Sequence, residues 1–261
     1  MSVEIGMASE CRPHEVVSLG GFPLVRTTAA DLQQHLQLAL SNREQTALFF
    51  ANTNFIVKCQ PLRAAMAKTK TVIVNDGIGV DIASLLVHRS RFPANLNGTD
   101  FIPAYLSSVR DQAKVYLFGG KPGIAIRAAN TLENQYNVNV VGIADGYDQA
   151  QNPDQVVADI NATGANVLLV AMGNPAQEQW ILDHREKLKV SVLFGVGALL
   201  DFLAGDKPRA PKAVQKLRLE WLYRLCLEPT RLMRRYTFDI AIFLALCIKA
   251  GKGDNPTEDS Y

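Results

Sequence analysis

The sequence predicts an α/β protein: a Rossmann-like, mostly parallel sheet with helices on both faces, extended by a C-terminal amphipathic helical appendage. Three observations predict it. Short apolar runs at 46–51, 71–74, 114–118, 138–143, 166–171 and 190–195 have the length and composition of buried strands. Stretches with helical spacing, at about 55–67, 78–88, 122–136, 153–163 and 175–188, fall between them, and such alternation marks a parallel sheet. Of the 261 residues 48% are apolar and 20% charged, a composition that builds a core and excludes a disordered or fibrous chain.

Taken in order, residues 1–15 read as a flexible tail. The stretch 16–25, with Gly20-Gly21 at its centre, reads as a hairpin. Thr28 is placed to cap a helix at 29–42, in which Leu32, Leu36 and Leu40 recur on one face. The strand–helix alternation then carries an α/β body, 16–205. Two prolines and a glycine at 205–211 mark a boundary. Helices at about 210–227 and 229–250, split by Glu228-Pro229, follow as a segment 206–250, and 251–261 is a polar tail. Removal of the chain from Lys207 onward is expected to leave the body folded.

Cys11, Cys59, Cys226 and Cys247 are scattered with no CxxC spacing, and the four histidines do not cluster. No metal site, disulfide framework or Ser/His/Asp set is expected. The first seventeen residues lack the apolar stretch of a secretory signal. The longest apolar run, at 240–248, is nine residues, against roughly 20 for a membrane span.

Parallel sheets bind ligands at the carboxyl ends of their strands, so the loops there are where chemistry is expected. Asn52-Thr53-Asn54 follows the strand at 46–51 and serves either a helix cap or a sugar and phosphate. Asn75-Asp76-Gly77-Ile78-Gly79 places a carboxylate at a strand end, as a general base on a hydroxyl or as a helix cap with turn glycines. Gly119-Gly120-Lys121-Pro122-Gly123 is either a phosphate loop or a plain turn, and it is neither a P-loop nor a full GxGxxG. In Gly173-Asn174-Pro175-Ala176-Gln177-Glu178, Gln177 and Glu178 open a helix and face crevice or solvent. Gly195-Val196-Gly197, with Asp201, ends the last strand. No DxD motif stands in a nucleotide-binding context.

The formal charge of +2 conceals an uneven distribution. Between residues 207 and 252 there are eleven basic and three acidic residues, so that segment carries +8 and the remainder −6. Arg209, Arg218, Arg224, Arg231, Arg234 and Arg235 are interleaved with Trp221, Tyr223 and leucines. This matches an interfacial amphipathic helix on an anionic leaflet, where each Lys or Arg adds roughly 1 kcal/mol. Docking on the core is the other reading. Nucleic acid is not an expected partner, because the body is acidic and has no recognition module.

In order along the chain, Asn52-Thr53-Asn54, Asp76-Gly77-Ile78-Gly79-Val80, Gly98-Thr99-Asp100, the 118–123 loop, Gly173 to Glu178, Gly195-Val196-Gly197 with Asp201-Phe202, Arg209-Ala210-Pro211, Glu220 to Leu225 and Glu228-Pro229 resemble the WecG/TagA/CpsF glycosyltransferases (glycosyltransferase family 26). The resemblance covers roughly 16–236. It implies a GT-E type fold and an inverting bacterial transferase with no metal or other cofactor. Its expected partners are a UDP-sugar donor, a polyprenyl-diphosphate-linked saccharide and the anionic inner membrane surface, with homo-oligomers allowed. It would work as a peripheral protein on the cytoplasmic face. By this resemblance Asp76 is the general base, Thr53, Asn54 and Gln177 line the pocket, and the C-terminal arginines serve membrane and diphosphate.

Asn95 stands where many relatives carry an arginine, with Arg91 as its nearest substitute. Asn75 replaces a common proline and Ala176 a common lysine. The sequence then looks most like the xanthan-type branch, which adds β-1,4-linked glucose to glucosyl-diphospho-undecaprenol. The alternatives are an N-acetylmannosaminyl transferase of the same family and a non-catalytic protein that binds nucleotide sugar or lipid diphosphate.

Overall fold

The computed structural model describes residues 15–147, 149–211, 213–214, 220–227 and 229–251. The expected tails lie almost wholly outside these residues, as do Arg218 and Glu228. The side chains of Arg224, Arg231, Arg234 and Arg235 also lie outside them, although their backbone is helical.

The hairpin forms as read. Strands β1 (Glu15–Leu19) and β2 (Phe22–Arg26) pair antiparallel, and Gly20 and Gly21 close the turn with φ of 59° and 82°. Both angles lie in the left-handed region that this tight hairpin turn needs and that glycine enters without strain. Helix α1 (Ala29–Asn42) starts where Thr28 accepts a hydrogen bond from Asp31 N–H, and it buries Leu32, Leu36 and Leu40. Strand β3 (Thr46–Ala51) is buried at every position.

The stretch read as one helix at 55–67 is broken. Helix α2 (Thr53–Lys58) ends at Cys59, a 3-10 turn spans Gln60–Leu62, and α3 (Arg63–Ala67) follows. Pro61 accounts for the break, because it has no N–H for the helical ladder. Next come β4 (Thr71–Asn75) and α4 (Ile78–His88). Helix α5 (Gly98–Ser108) was not anticipated: Gly98 and Pro103 obscure its pattern, yet Asn97 caps it, and Phe101, Ile102, Tyr105 and Leu106 are buried.

The remainder is β5 (Lys114–Gly119), α6 (Ile124–Tyr136), β6 (Asn139–Ala144), α7 (Pro153–Ala162), β7 (Val167–Ala171), α8 (Ala176–His184), β8 (Val192–Gly195), α9 (Leu199–Leu203), α10 (Glu220–Leu227) and α11 (Pro229–Gly251).

The sheet runs β1-β2-β4-β3-β8-β7-β5-β6, and all pairs except β1–β2 are parallel. Most connecting helices sort to one face or the other by the direction of the strand step they span. Steps from β3 to β4, β6 to β7 and β7 to β8 run one way across the sheet, and α2, α3, α7 and α8 pack on one face. Steps from β2 to β3 and β5 to β6 run the other way, and α1 and α6 pack on the opposite face with α5 and α9. Chain excursions therefore diverge on either side of β3 and β8, and a crevice opens at their carboxyl ends.

Helix α11 is not set apart from this body. It packs on α2, α4 and β1, and Phe243 (1% exposed) and Cys247 (0%) join the core on the α2 face. The segment 206–250 thus gives side chains to the core of the α/β body. Among the described residues, no helix is long and apolar enough to cross a membrane.

Candidate functional site

A cleft of about 1530 Å³ lies across the carboxyl ends of β3, β4, β5, β7 and β8. It exceeds the roughly 300–1,000 Å³ typical of a ligand pocket.

Its centre is built by the loops after β3 and β4. Asn52 caps α2, its Oδ1 accepting from the N–H groups of Asn54 and Phe55, both at 3.1 Å. The other end of the same amide donates from Nδ2 to Asp76 Oδ2 at 3.2 Å. The cap reading of this loop is realised, and the same side chain reaches the Asp76 carboxylate. Asp76 is held further by its N–H, which donates to Ala51 O at 2.8 Å. Gly77 has φ 89°, and its N–H donates to Asn95 Oδ1 at 2.7 Å. Asn95 therefore pins the loop that carries Asp76. A Cβ on Gly79 would stand 2.6 Å from Thr53 Cγ2, so this glycine lets the starts of α2 and α4 approach each other.

The loops after β7 and β8 form a second wall. Gln177 is 2% exposed, and its Oε1 accepts from Gly173 N–H at 3.1 Å and Gly197 N–H at 2.9 Å. Asn54 Nδ2 donates to Asn174 Oδ1 at 3.2 Å, which joins this wall to the β3 loop. The expectation that Glu178 faces crevice or solvent is corrected: it is 1% exposed and lies behind the cleft surface. The first turn of α8 points it at the end of β8, where Gly195 leaves it space. Burial pushes its carboxyl above the usual range, against the opposing effect of hydrogen bonds from Gln177, Asn174 and Cys59. Burial and the neighbouring Glu178 push the Cys59 thiol up in turn.

The loop after β5 departs from the phosphate-cradle expectation. Gly120 N–H donates to Ala171 O at 2.9 Å, and Gly120 O accepts from Gly146 N–H at 2.9 Å. Gly119 is packed against the Ala171 backbone and is not on the cleft surface. Only Gly120 and Lys121 of this loop's expected ligand residues reach the cleft.

Two expected cationic contacts also differ. Arg91 does not line the cleft; its carbonyl accepts from the Arg26 guanidinium. Arg209 is engaged by Asp100 at the start of α5 and Glu220 at the start of α10. Burial raises the Asp100 carboxyl, but hydrogen bonds from Arg209 and Asn97 outweigh it and hold Asp100 below the usual range. Asp201 lines the cleft and accepts from Lys207 Nζ at 2.8 Å.

The sequence did not mark as cleft residues Trp221 and Asp239, through which the two C-terminal helices line the cleft, or Tyr147 and His184. Trp221 is 38% exposed, and its interleaving with basic residues was the signal available. Nothing in the local pattern marked Asp239. Among the described residues, no three His, Cys, Asp or Glu side chains gather as a metal-holding group.

A model of the glycosyl transferase WecG/TagA/CpsF family matches residues 17–256. That stretch runs from β1 through α11 and holds every cleft residue named above. The chain belongs to the WecG/TagA/CpsF family of glycosyltransferases, enzymes that use a nucleotide-sugar donor and a lipid-linked acceptor.

Proposed function

We propose that this enzyme moves glucose from UDP-glucose, with inversion and in β-1,4 linkage, onto a saccharide carried on polyprenyl diphosphate in bacterial exopolysaccharide synthesis. The observation that carries the chemical part is Asp76, a carboxylate at the end of β4, lining the cleft with one oxygen 3.2 Å from Asn52 Nδ2. In this reading Asp76 takes the proton of the acceptor hydroxyl as its oxygen bonds to the anomeric carbon. The bond from that carbon to the donor phosphate breaks, and its electron pair leaves with UDP. The reaction needs no metal; Lys121 and the basic C-terminal segment answer the charge that develops on the diphosphate.

Thr53 and Asn54 would contact the sugars, while Gln177 holds the Gly173 and Gly197 loops that frame them. The basic segment would hold the enzyme on an anionic leaflet. Exposed apolar side chains support that contact: Leu86 (63%) on α4 and Phe238 (71%) on α11, two helices that pack together beside the cleft.

The test is a panel of UDP-sugars against lipid-diphosphate-linked acceptors, with product linkage analysis and with EDTA present and absent. UDP-N-acetylmannosamine turned over in place of UDP-glucose would reassign the donor, and loss of activity in EDTA would reject the metal-free route. Asp76→Asn is expected to lower kcat by about 10²–10⁴-fold with the fold intact. Near-normal turnover in that variant would remove Asp76 from the role of base.

A further inference from the structure

Glu178 is a fully buried carboxylate in a protein whose chemistry, as proposed, makes no direct use of it. Burying such a charge is costly unless donors surround it. Here they do: Oε1 accepts from Asn174 Nδ2 and Gln177 Nε2, both at 2.7 Å, and Oε2 faces the Cys59 thiol at 3.7 Å.

The consequence lies in the far ends of those two amides. A carboxamide that turns its NH₂ toward Glu178 must turn its oxygen the other way. The Asn174 oxygen then accepts from Asn54 Nδ2, and the Gln177 oxygen accepts from the N–H groups of Gly173 and Gly197. Reversing either amide would set donor against donor. One acceptor atom therefore orients two amides, and those amides tie together the loops after β3, β7 and β8. Gly195 makes the approach feasible, since a Cβ there would stand 3.0 Å from Gln177 Nε2 and 3.2 Å from Glu178 Oε1.

We propose that Glu178 is a positioning residue: its Oε1 sets the direction of the Asn174 and Gln177 amides and so fixes three cleft loops for sugar transfer, without touching substrate. This rests on reading the cleft as the transfer site.

The experiment uses the full chain labelled with ¹⁵N-glycine, as wild type, Glu178→Leu and Glu178→Gln. Hydrogen exchange is read at the Gly173 and Gly197 amides. kcat/KM is read with the donor selected by the UDP-sugar panel, at a temperature where circular dichroism shows each variant folded. Glu178→Leu is expected to speed exchange at both glycines and to lower kcat/KM by about 10–100-fold, the scale of a small misplacement of reacting groups. Glu178→Gln keeps an acceptor at the Oε1 position and is expected to retain slow exchange and most of the turnover. Asn54→Ala should cost less in the Glu178→Leu background than in wild type, because the part of its role that runs through Asn174 is already lost there.

Unchanged exchange in Glu178→Leu overturns the proposal. So do accelerated exchange with wild-type turnover, losses in Glu178→Gln equal to those in Glu178→Leu, and losses for Asn54→Ala and Glu178→Leu that simply multiply. If Glu178→Leu does not fold, exchange and turnover in Glu178→Gln decide alone. An active Asp76→Asn enzyme would reject the base assignment and leave the glycine exchange result standing.

Discussion

Replacing Phe243 with alanine separates a docked C-terminal helix from a tether. Phe243 lies in α11, is 1% exposed, and belongs to the core cluster that includes Phe22, Phe55 and Ile56. Truncating a fully buried phenylalanine costs about 3–5 kcal/mol, from lost transfer free energy and the cavity left behind. At about 2–4 °C per kcal/mol for a chain of this size, Tm should fall by roughly 6–20 °C. Phe238, five residues earlier on the same helix, is 71% exposed and serves as the control. Phe238→Ala should change stability by less than about 0.5 kcal/mol. The assay is thermal unfolding by circular dichroism without lipid, checked by urea titration. Equal melting of the two variants would refute docking of α11 on the body. Ending the chain before Lys207 should likewise expose the α2 face of the core and lower the melting temperature, which tests the expectation that the body stays folded.

Other outcomes follow from the same geometry. The raised Glu178 carboxyl lies above its unfolded value of about 4.3, so the folded state binds its proton more tightly, and the cost of burying the charge grows as pH rises through the folded value. Glu178→Gln should therefore melt higher than wild type near neutral pH, with the gain vanishing as pH falls toward about 4.3; a pH-independent difference in Tm would contradict this. In the native protein iodoacetamide should label Cys226, which is exposed, and spare Cys59 and Cys247, which are buried with raised thiols, as peptide mass mapping would show. Gly195→Ala would place a methyl 3.0 Å from both Gln177 Nε2 and Phe49 Cδ1, and urea unfolding should record a loss of about 1–3 kcal/mol.

The parallel sheet was legible because its strands are short, apolar and separated by helical stretches; all six apolar runs coincide with β3 to β8. Helix α5 was not, since Gly98 and Pro103 are residues that usually end helices, and its stability comes from burying Phe101 and Tyr105 against other elements. Loop residues were located because parallel sheets put ligands at strand ends. Their orientation was not, because it depends on partners far away in sequence: Asn52 meets Asp76, Asn54 meets Asn174, and Gly77 meets Asn95. Local spacing places Gln177 and Glu178 at the start of α8 but says nothing of the glycine at the end of β8 that admits both to the interior. The sequence left the docking of α11 undecided, since an apolar stripe beside basic residues suits a protein core as well as a membrane surface.

The cleft draws its walls from residues as far apart in sequence as Phe50 and Ile240. Chains emerge from the ribosome N-terminus first and fold as they emerge. The loop bearing Asp76 can thus be in place long before α11, which supplies Asp239 and Ile240 to the cleft, is synthesised. Completion of the site waits for α11, and a nascent chain that has not yet reached it would carry the carboxylate without the enclosure around it.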